Sequence, residues 1–261
     1  MQLARLWVKE QDRVEHAVWD GEAWRVVASL LEPDERTGEV LFEEEVELLA
    51  PVAPPNVLAI GRNYREHAAE TGSAIPERPL LFLKATTAVT AHGAPIRLPA
   101  MAPAKVDLEA ELAVVIGKTA KDVPEAAVDE VILGFTCAND VSARDCQLEL
   151  DSQWARGKSF DTFCPLGPWI ETDLEPDDLR VRSTLNGETM QDSRTSNMIF
   201  PCRELVSFLS RCMTLLPGTV ILTGTPPGVG MARNPPVFLK EGDQVEVTVE
   251  GIGTLANPVV A

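Results

Sequence analysis

The sequence predicts a β-rich α+β protein, and three observations carry that reading. Beyond residue 50 the apolar residues fall into short runs, VLAIG, LLFLK, ELAVVIG, VILGFTCA, VRSTLNG, TVILTG and QVEVTVEG, each bounded by Gly, Pro, Asn or Asp. Short apolar runs closed by turn residues are the pattern of strands. Helical spacing is confined to three stretches, Tyr64 to about Thr71, Val141 to about Asp151, and Cys202 to about Leu215. The alternation between the two kinds of segment is too irregular for a Rossmann or barrel fold, which leaves a mixed, strand-dominated architecture.

Taken in order, residues 1–50 alternate polar and apolar positions, and Asp20-Gly21 divides RVEHAVWDGEAWRVV in the manner of a hairpin turn. The acidic run EEEVE and the proline-rich APVAPPN follow, so a boundary is expected near residue 51, with a small N-terminal β domain (1–50) and a main domain (51–261). In the third helical stretch Leu205, Leu209 and Cys212, flanked by Val206 and Met213, form one apolar stripe that suits core packing.

Composition narrows the function. A formal net charge of −17 argues against nucleic acid and anionic membrane surfaces as partners, since both select for basic patches. Five cysteines, an odd number with no C-x-x-C pair, suit free thiols better than a disulfide framework or a zinc site. No apolar leader and no long uninterrupted apolar span occurs, so a cytoplasmic location is expected. With three histidines in all, at spacings that match no metal-binding pattern, any metal is expected on oxygen ligands.

The stretch KVDLEAELAVVIGK supplies such ligands. Glu109 and Glu111 are two positions apart on the pattern of a buried strand, so their carboxylates share one face and repel unless a cation lies between them. Acidic residues at strand ends ordinarily face water. Asp140 follows the apolar run VILGFTCAN, where it would serve either as a turn or helix-cap residue or as a third carboxylate of an oxygen cage for Mg²⁺ or Mn²⁺. The loop TGTPPGVG lacks the Gly-Lys-Ser/Thr ending of a phosphate loop, and its two prolines remove amide donors.

The blocks GRNYREHAAE, RPLLFLK, DLEAELAVVIGK, CANDVSARDCQ, WARGKSFD and LTGTPPGVG occur in an order and spacing that resembles the fumarylacetoacetate hydrolase family, over residues 55–261. The resemblance implies a mixed β-sandwich roll, commonly a homodimer, and similar members carry a small N-terminal β domain. It assigns Glu109, Glu111 and Asp140 as metal ligands, His67 and Glu70 as a water-activating pair on a lid segment, and Lys158 as the site lysine. It also gives Arg144 and Gln147 to substrate oxygens and presents Thr225 to the site from a rigid turn. Arg62 and Tyr64 are further candidates for substrate contacts, and the role of Lys84 stays open. On a helix positions i and i+3 are neighbours, so Glu70 can orient His67 and Gln147 can stand beside Arg144.

The implied reaction is Mg²⁺-dependent hydrolysis of an acylpyruvate such as fumarylpyruvate or acetylpyruvate, with decarboxylation of oxaloacetate as a variant. The alternative is isomerisation of 2-hydroxyhepta-2,4-diene-1,7-dioate or 5-carboxymethyl-2-hydroxymuconate in aromatic catabolism, which needs an enolate sink and a base but no water. A scaffold kept only for binding would be expected to lack metal or lid residues, and none is missing.

Overall fold

The structure is a computed structural model that describes all residues, 1–261. Its spine is one largely antiparallel sheet, whose main path has a single parallel pair, Val220–Leu222 beside Val57–Gly61. From one edge the order is Arg36–Leu41, Trp24–Val27, Arg13–Trp19, Gln2–Val8, Cys164–Glu171, Ile132–Asn139, Ala110–Ile116, Val220–Leu222, Val57–Gly61 and Leu80–Lys84. A second sheet, Glu188–Arg194, Arg180–Leu185, Gln244–Val249, Gly253–Val260 and Ile96–Arg97, covers one face of it.

The strand Ala110–Ile116 is buried along its whole length because both of its faces are packed. Ala113 and Val115 point into one core, with Val106, Val141 and Phe163. Leu112, Val114 and Ile116 point into the other, between Val181, Val247 and Val249 of the second sheet and Leu205, Val206 and Leu209 of a helix. A strand with two apolar faces reads as a continuous apolar run, which is what ELAVVIG shows. The β-rich α+β roll is therefore the observed architecture, and the seven apolar runs each lie on a strand, within a few residues at the ends.

In residues 1–50 the hairpin turns where expected. Asp20 accepts the amides of Glu22 and Ala23 at 2.9 and 3.0 Å, and Trp19 and Trp24 meet across it with ring centroids 5.1 Å apart. This segment has its own small cluster around Leu6, Ala17, Trp24 and Val26. It is also joined to the body, because Gln2 and Leu3 pair with Glu171 and Ile170.

Two helix expectations need correction. No helix starts at Val141: Ser142–Ala143 pair with Val106–Asp107, and the Arg144 amide donates to the Lys105 carbonyl at 2.9 Å, so the backbone is held extended until residue 144. A short helical segment follows, α-helical at residues 144–145 and π-helical over Cys146–Leu150. The last helix ends at Cys212, which is exposed and drops out of the apolar stripe, while Met213 just beyond it packs against the same core. No helix is long and apolar enough to cross a membrane.

Candidate active site

The register of two strands builds the acidic centre. Ala110 pairs with Asn139 and Glu111 with Ala138. Beyond that last pair the Asp140 amide donates to the Glu109 carbonyl and the Glu109 amide to Asn139 Oδ1, both at 2.9 Å. Glu109, Glu111 and Asp140 thus converge, with one carboxylate oxygen from each lying within 4.8 Å of the others, and all three are buried.

Their partners are unequal. Lys158 Nζ donates to Glu109 at 2.8 Å and to Asp140 at 2.6 Å, and Lys84 Nζ, with no exposed side-chain surface, also pairs with Asp140. Arg144 binds Asp107 through Nε at 2.9 Å and Glu109 through Nη1 at 2.7 Å. Glu111 receives only a backbone amide, from Gly224 at 2.7 Å. Four buried carboxylates (Asp107, Glu109, Glu111, Asp140) therefore face three buried cations (Lys84, Arg144, Lys158), and the unbalanced one is Glu111.

The protonation equilibria follow this asymmetry. Burial, then the Asp140 and Glu109 charges, hold the Glu111 carboxyl well above its ordinary value. Glu109 is also pushed up by burial, but Lys158 and Arg144 outweigh that and bring it below the usual carboxylate range. Burial pulls Lys158 down, and Asp140 and Glu109 more than restore it. An uncompensated buried charge costs several kcal/mol, so a hard cation on these oxygens removes the penalty. The donor set fits Mg²⁺ or Mn²⁺, and no histidine or thiol belongs to it.

The GRNYREHAAE block forms the opposite wall. Asn63 is fixed by three hydrogen bonds, its Nδ2 to the Phe200 and Thr223 carbonyls at 2.9 and 2.7 Å and its Oδ1 from the Phe200 amide at 2.9 Å. From this anchor the helix Arg65–Glu70 carries His67, whose Nδ1 lies 2.7 Å from Glu70 Oε1. The other Glu70 oxygen accepts the Gly228 amide at 2.9 Å. The TGTPPGVG loop thus clamps the His67–Glu70 pair. Gly228 has φ +104°, and a Cβ there would lie 2.2 Å from the Met190 carbonyl oxygen, so only glycine presents that amide.

Of the sequence candidates, all but Glu70 and Tyr64 line one cleft, with Phe82, Trp154 and Met231 completing its wall. Its accessible space, about 120 Å³, has room for on the order of ten waters or a small organic acid. Glu70 stands behind His67. Tyr64 is corrected from a substrate contact to a core residue: its ring is 1% exposed among Leu58, Leu112 and Met198, and it does not border the cleft. Arg144 Nη1 donates to Gln147 Oε1 at 2.9 Å, so those two act together. The Thr225 hydroxyl donates to the Ala110 carbonyl at 2.9 Å and accepts from Gln191 at 2.7 Å, which leaves it able only to accept from a ligand.

The sequence left the role of Lys84 open and Asp107 unremarked. Lys84, in the apolar run LLFLK, is a buried counter-ion, and a lysine inside such a run is the signal that was available. Asp107 holds Arg144 and also accepts the Gly230 and Met231 amides at 2.8 and 3.0 Å. Its position two before Glu109 places it in the same alternation as Glu109 and Glu111.

Residues 56–260 match the fumarylacetoacetate (FAA) hydrolase C-terminal family. The chain is 46% identical over 226 residues to oxaloacetate tautomerase FAHD2A, mitochondrial, of Bos taurus, a match covering 85% of this chain and 72% of that one. Among solved structures it superimposes on 5-carboxymethyl-2-hydroxymuconate delta-isomerase from Mycobacterium smegmatis with TM-score 0.89 and 46% identity, over 100% of this chain and 99% of that one. It is similar in the same way to a fumarylacetoacetate hydrolase from Exiguobacterium antarcticum, with TM-score 0.89, 37% identity and the same coverage.

Proposed function

The chain belongs to the fumarylacetoacetate hydrolase family, and from that membership we propose that it catalyses metal-assisted proton transfer on a small 2-oxo acid, as a keto–enol tautomerase or isomerase. The observation that carries the reading is a single cleft holding both the buried carboxylate triad and His67 of the His67–Glu70 pair. Relatives at 46% identity named as a tautomerase and an isomerase support it.

Glu109, Glu111 and Asp140 would hold the cation, Mg²⁺ or Mn²⁺. The bound cation supplies positive charge where the oxygen of a 2-oxo acid becomes anionic on enolisation. His67 takes the proton from the carbon beside the 2-oxo group and returns it at the other end of the enol system. Glu70, bonded to Nδ1, fixes the tautomer so that Nε2 is the working nitrogen, and stabilises the imidazolium while it holds the proton. Lys158 and Arg144 keep Glu109 ionised and add positive potential at the same end of the cleft.

The test is turnover of the metal-stripped protein with and without Mg²⁺ on oxaloacetate, acetylpyruvate, fumarylpyruvate and 5-carboxymethyl-2-hydroxymuconate, following enol absorbance and pyruvate together. Metal-dependent absorbance change with a mass-neutral product supports proton transfer. Stoichiometric pyruvate or carbon dioxide supports the second reading, C–C hydrolysis or decarboxylation, which the similarity to the Exiguobacterium hydrolase favours and in which His67 deprotonates water instead. A homodimer and a cytoplasmic location are part of the proposal, to be read from light scattering and from fractionation of the source cells.

A further inference from the structure

One cation in the cleft is left over. Lys84, Lys158 and Arg144 are each committed to Asp140, Glu109 or Asp107. Arg62 lines the same cleft and makes neither an ion pair nor a side-chain hydrogen bond; its only specific contact is with the Trp154 ring, 5.6 Å from Cζ to the centroid.

Its placement is over-determined. The backbone of Arg62 is left-handed, φ +58°, a conformation that a non-glycine residue adopts only when its neighbours enforce it. Asn63 enforces it on one side through its three hydrogen bonds. On the other, Gly61 makes room for the indole: a Cβ at that position would lie 2.6 Å from Trp154 Cζ3. Trp154 in turn meets Phe82 edge-on at 5.5 Å. A guanidinium over an indole and without a hydrogen-bond partner keeps its N–H donors free, and its planar fork can receive a carboxylate in two parallel bonds.

Charge balance points the same way. The acidic centre carries one surplus negative charge. A divalent cation and the carboxylate of a 2-oxo acid would together bring it to neutrality; Glu70 is engaged by His67 and the Gly228 amide, so no protein carboxylate is left to pair with Arg62. We propose that Arg62, held on Trp154, binds a second, distal carboxylate of the substrate, so that the site selects 2-oxo dicarboxylates over 2-oxo monocarboxylates of equal length. The proposal rests on reading the cleft as a 2-oxo acid site.

The experiment is isothermal titration calorimetry on the Mg²⁺-loaded full chain, comparing oxaloacetate and 2-oxoglutarate with 2-oxobutanoate and 2-oxopentanoate. Wild type is expected to bind the dicarboxylates roughly 10- to 100-fold tighter, the range of one charge-assisted contact. Arg62→Gln should bring that ratio near one by weakening the dicarboxylates alone. Gly61→Ala, which displaces the indole and leaves Arg62 in the chain, should lower the ratio while leaving monocarboxylate affinity in place. An unchanged ratio in Arg62→Gln, no preference in wild type, or equal loss for both acid classes each overturns the assignment. Discrimination in binding with no turnover on any of the acids would uphold Arg62 and overturn the tautomerase reading.

Discussion

At the scale of single residues the centre of the account is Glu111, the one buried carboxylate with no cationic partner. Its raised pKa has a definite sign. It favours the fold below the free-carboxylate value of about 4.3 and loses that contribution as pH rises through the raised value. Metal-free protein should therefore lose melting temperature with rising pH, and the gain in Tm on adding Mg²⁺ should grow over the same range; scanning calorimetry of Glu111→Gln should show both trends flattened. A Tm gain independent of pH would contradict the assignment. His67→Ala should lower kcat about 10²- to 10⁴-fold, the usual weight of a general base, while keeping the Mg²⁺-induced Tm gain. Loss of that gain would place His67 at the metal instead. The triad was legible because strand alternation and a strand-end Asp are local features. Asp107 and Lys84 were less so, since what distinguishes them is the charge they meet across the fold.

Among elements, the helix Arg65–Glu70 shows how a short segment is made precise without much packing of its own. It has six residues and two buried side chains, too few to be stable alone, and is held by Asn63 at one end and by the Glu70–Gly228 bond at the other. Gly228→Ala should displace the loop, with a cost of about 1–3 kcal/mol for the strained backbone, and lower kcat without changing metal affinity. Urea unfolding and Mg²⁺ titration of the one variant check both halves; wild-type kcat would remove the loop from the catalytic arrangement. This helix could be read from sequence because the spacing within it, His67 three before Glu70, is a local feature. The helix expected from Val141 begins only at residue 144 because Ser142 and Ala143 are taken by Val106–Asp107, a pairing from another part of the chain that local spacing does not encode.

For the whole molecule, the two-sided core around Ala110–Ile116 ties the site to global stability. The same strand that carries Glu111 separates the two cores. Residues 1–50, proposed as a small domain, contribute Leu3, Val18 and Val27 to the first of them and share a sheet with the body. Trp24→Ala, which empties the segment's own cluster, should cost about 3–5 kcal/mol and lower Tm in one cooperative transition. Two resolved calorimetric transitions would show the segment melting apart. The fold class was readable because the apolar runs are short and bounded. The cross-chain order of the strands was not, since sheet order is set by which buried faces match after folding.

The most direct test of the central claim is proton exchange. Metal-stripped protein, with and without Mg²⁺, is given oxaloacetate in deuterium oxide, and the C3 hydrogens are followed by NMR against the uncatalysed rate. Mg²⁺-dependent deuterium uptake at C3 with carbon skeleton intact, abolished in His67→Ala, is the predicted result. Release of pyruvate or carbon dioxide in step with substrate loss, or exchange indifferent to Mg²⁺, would contradict it.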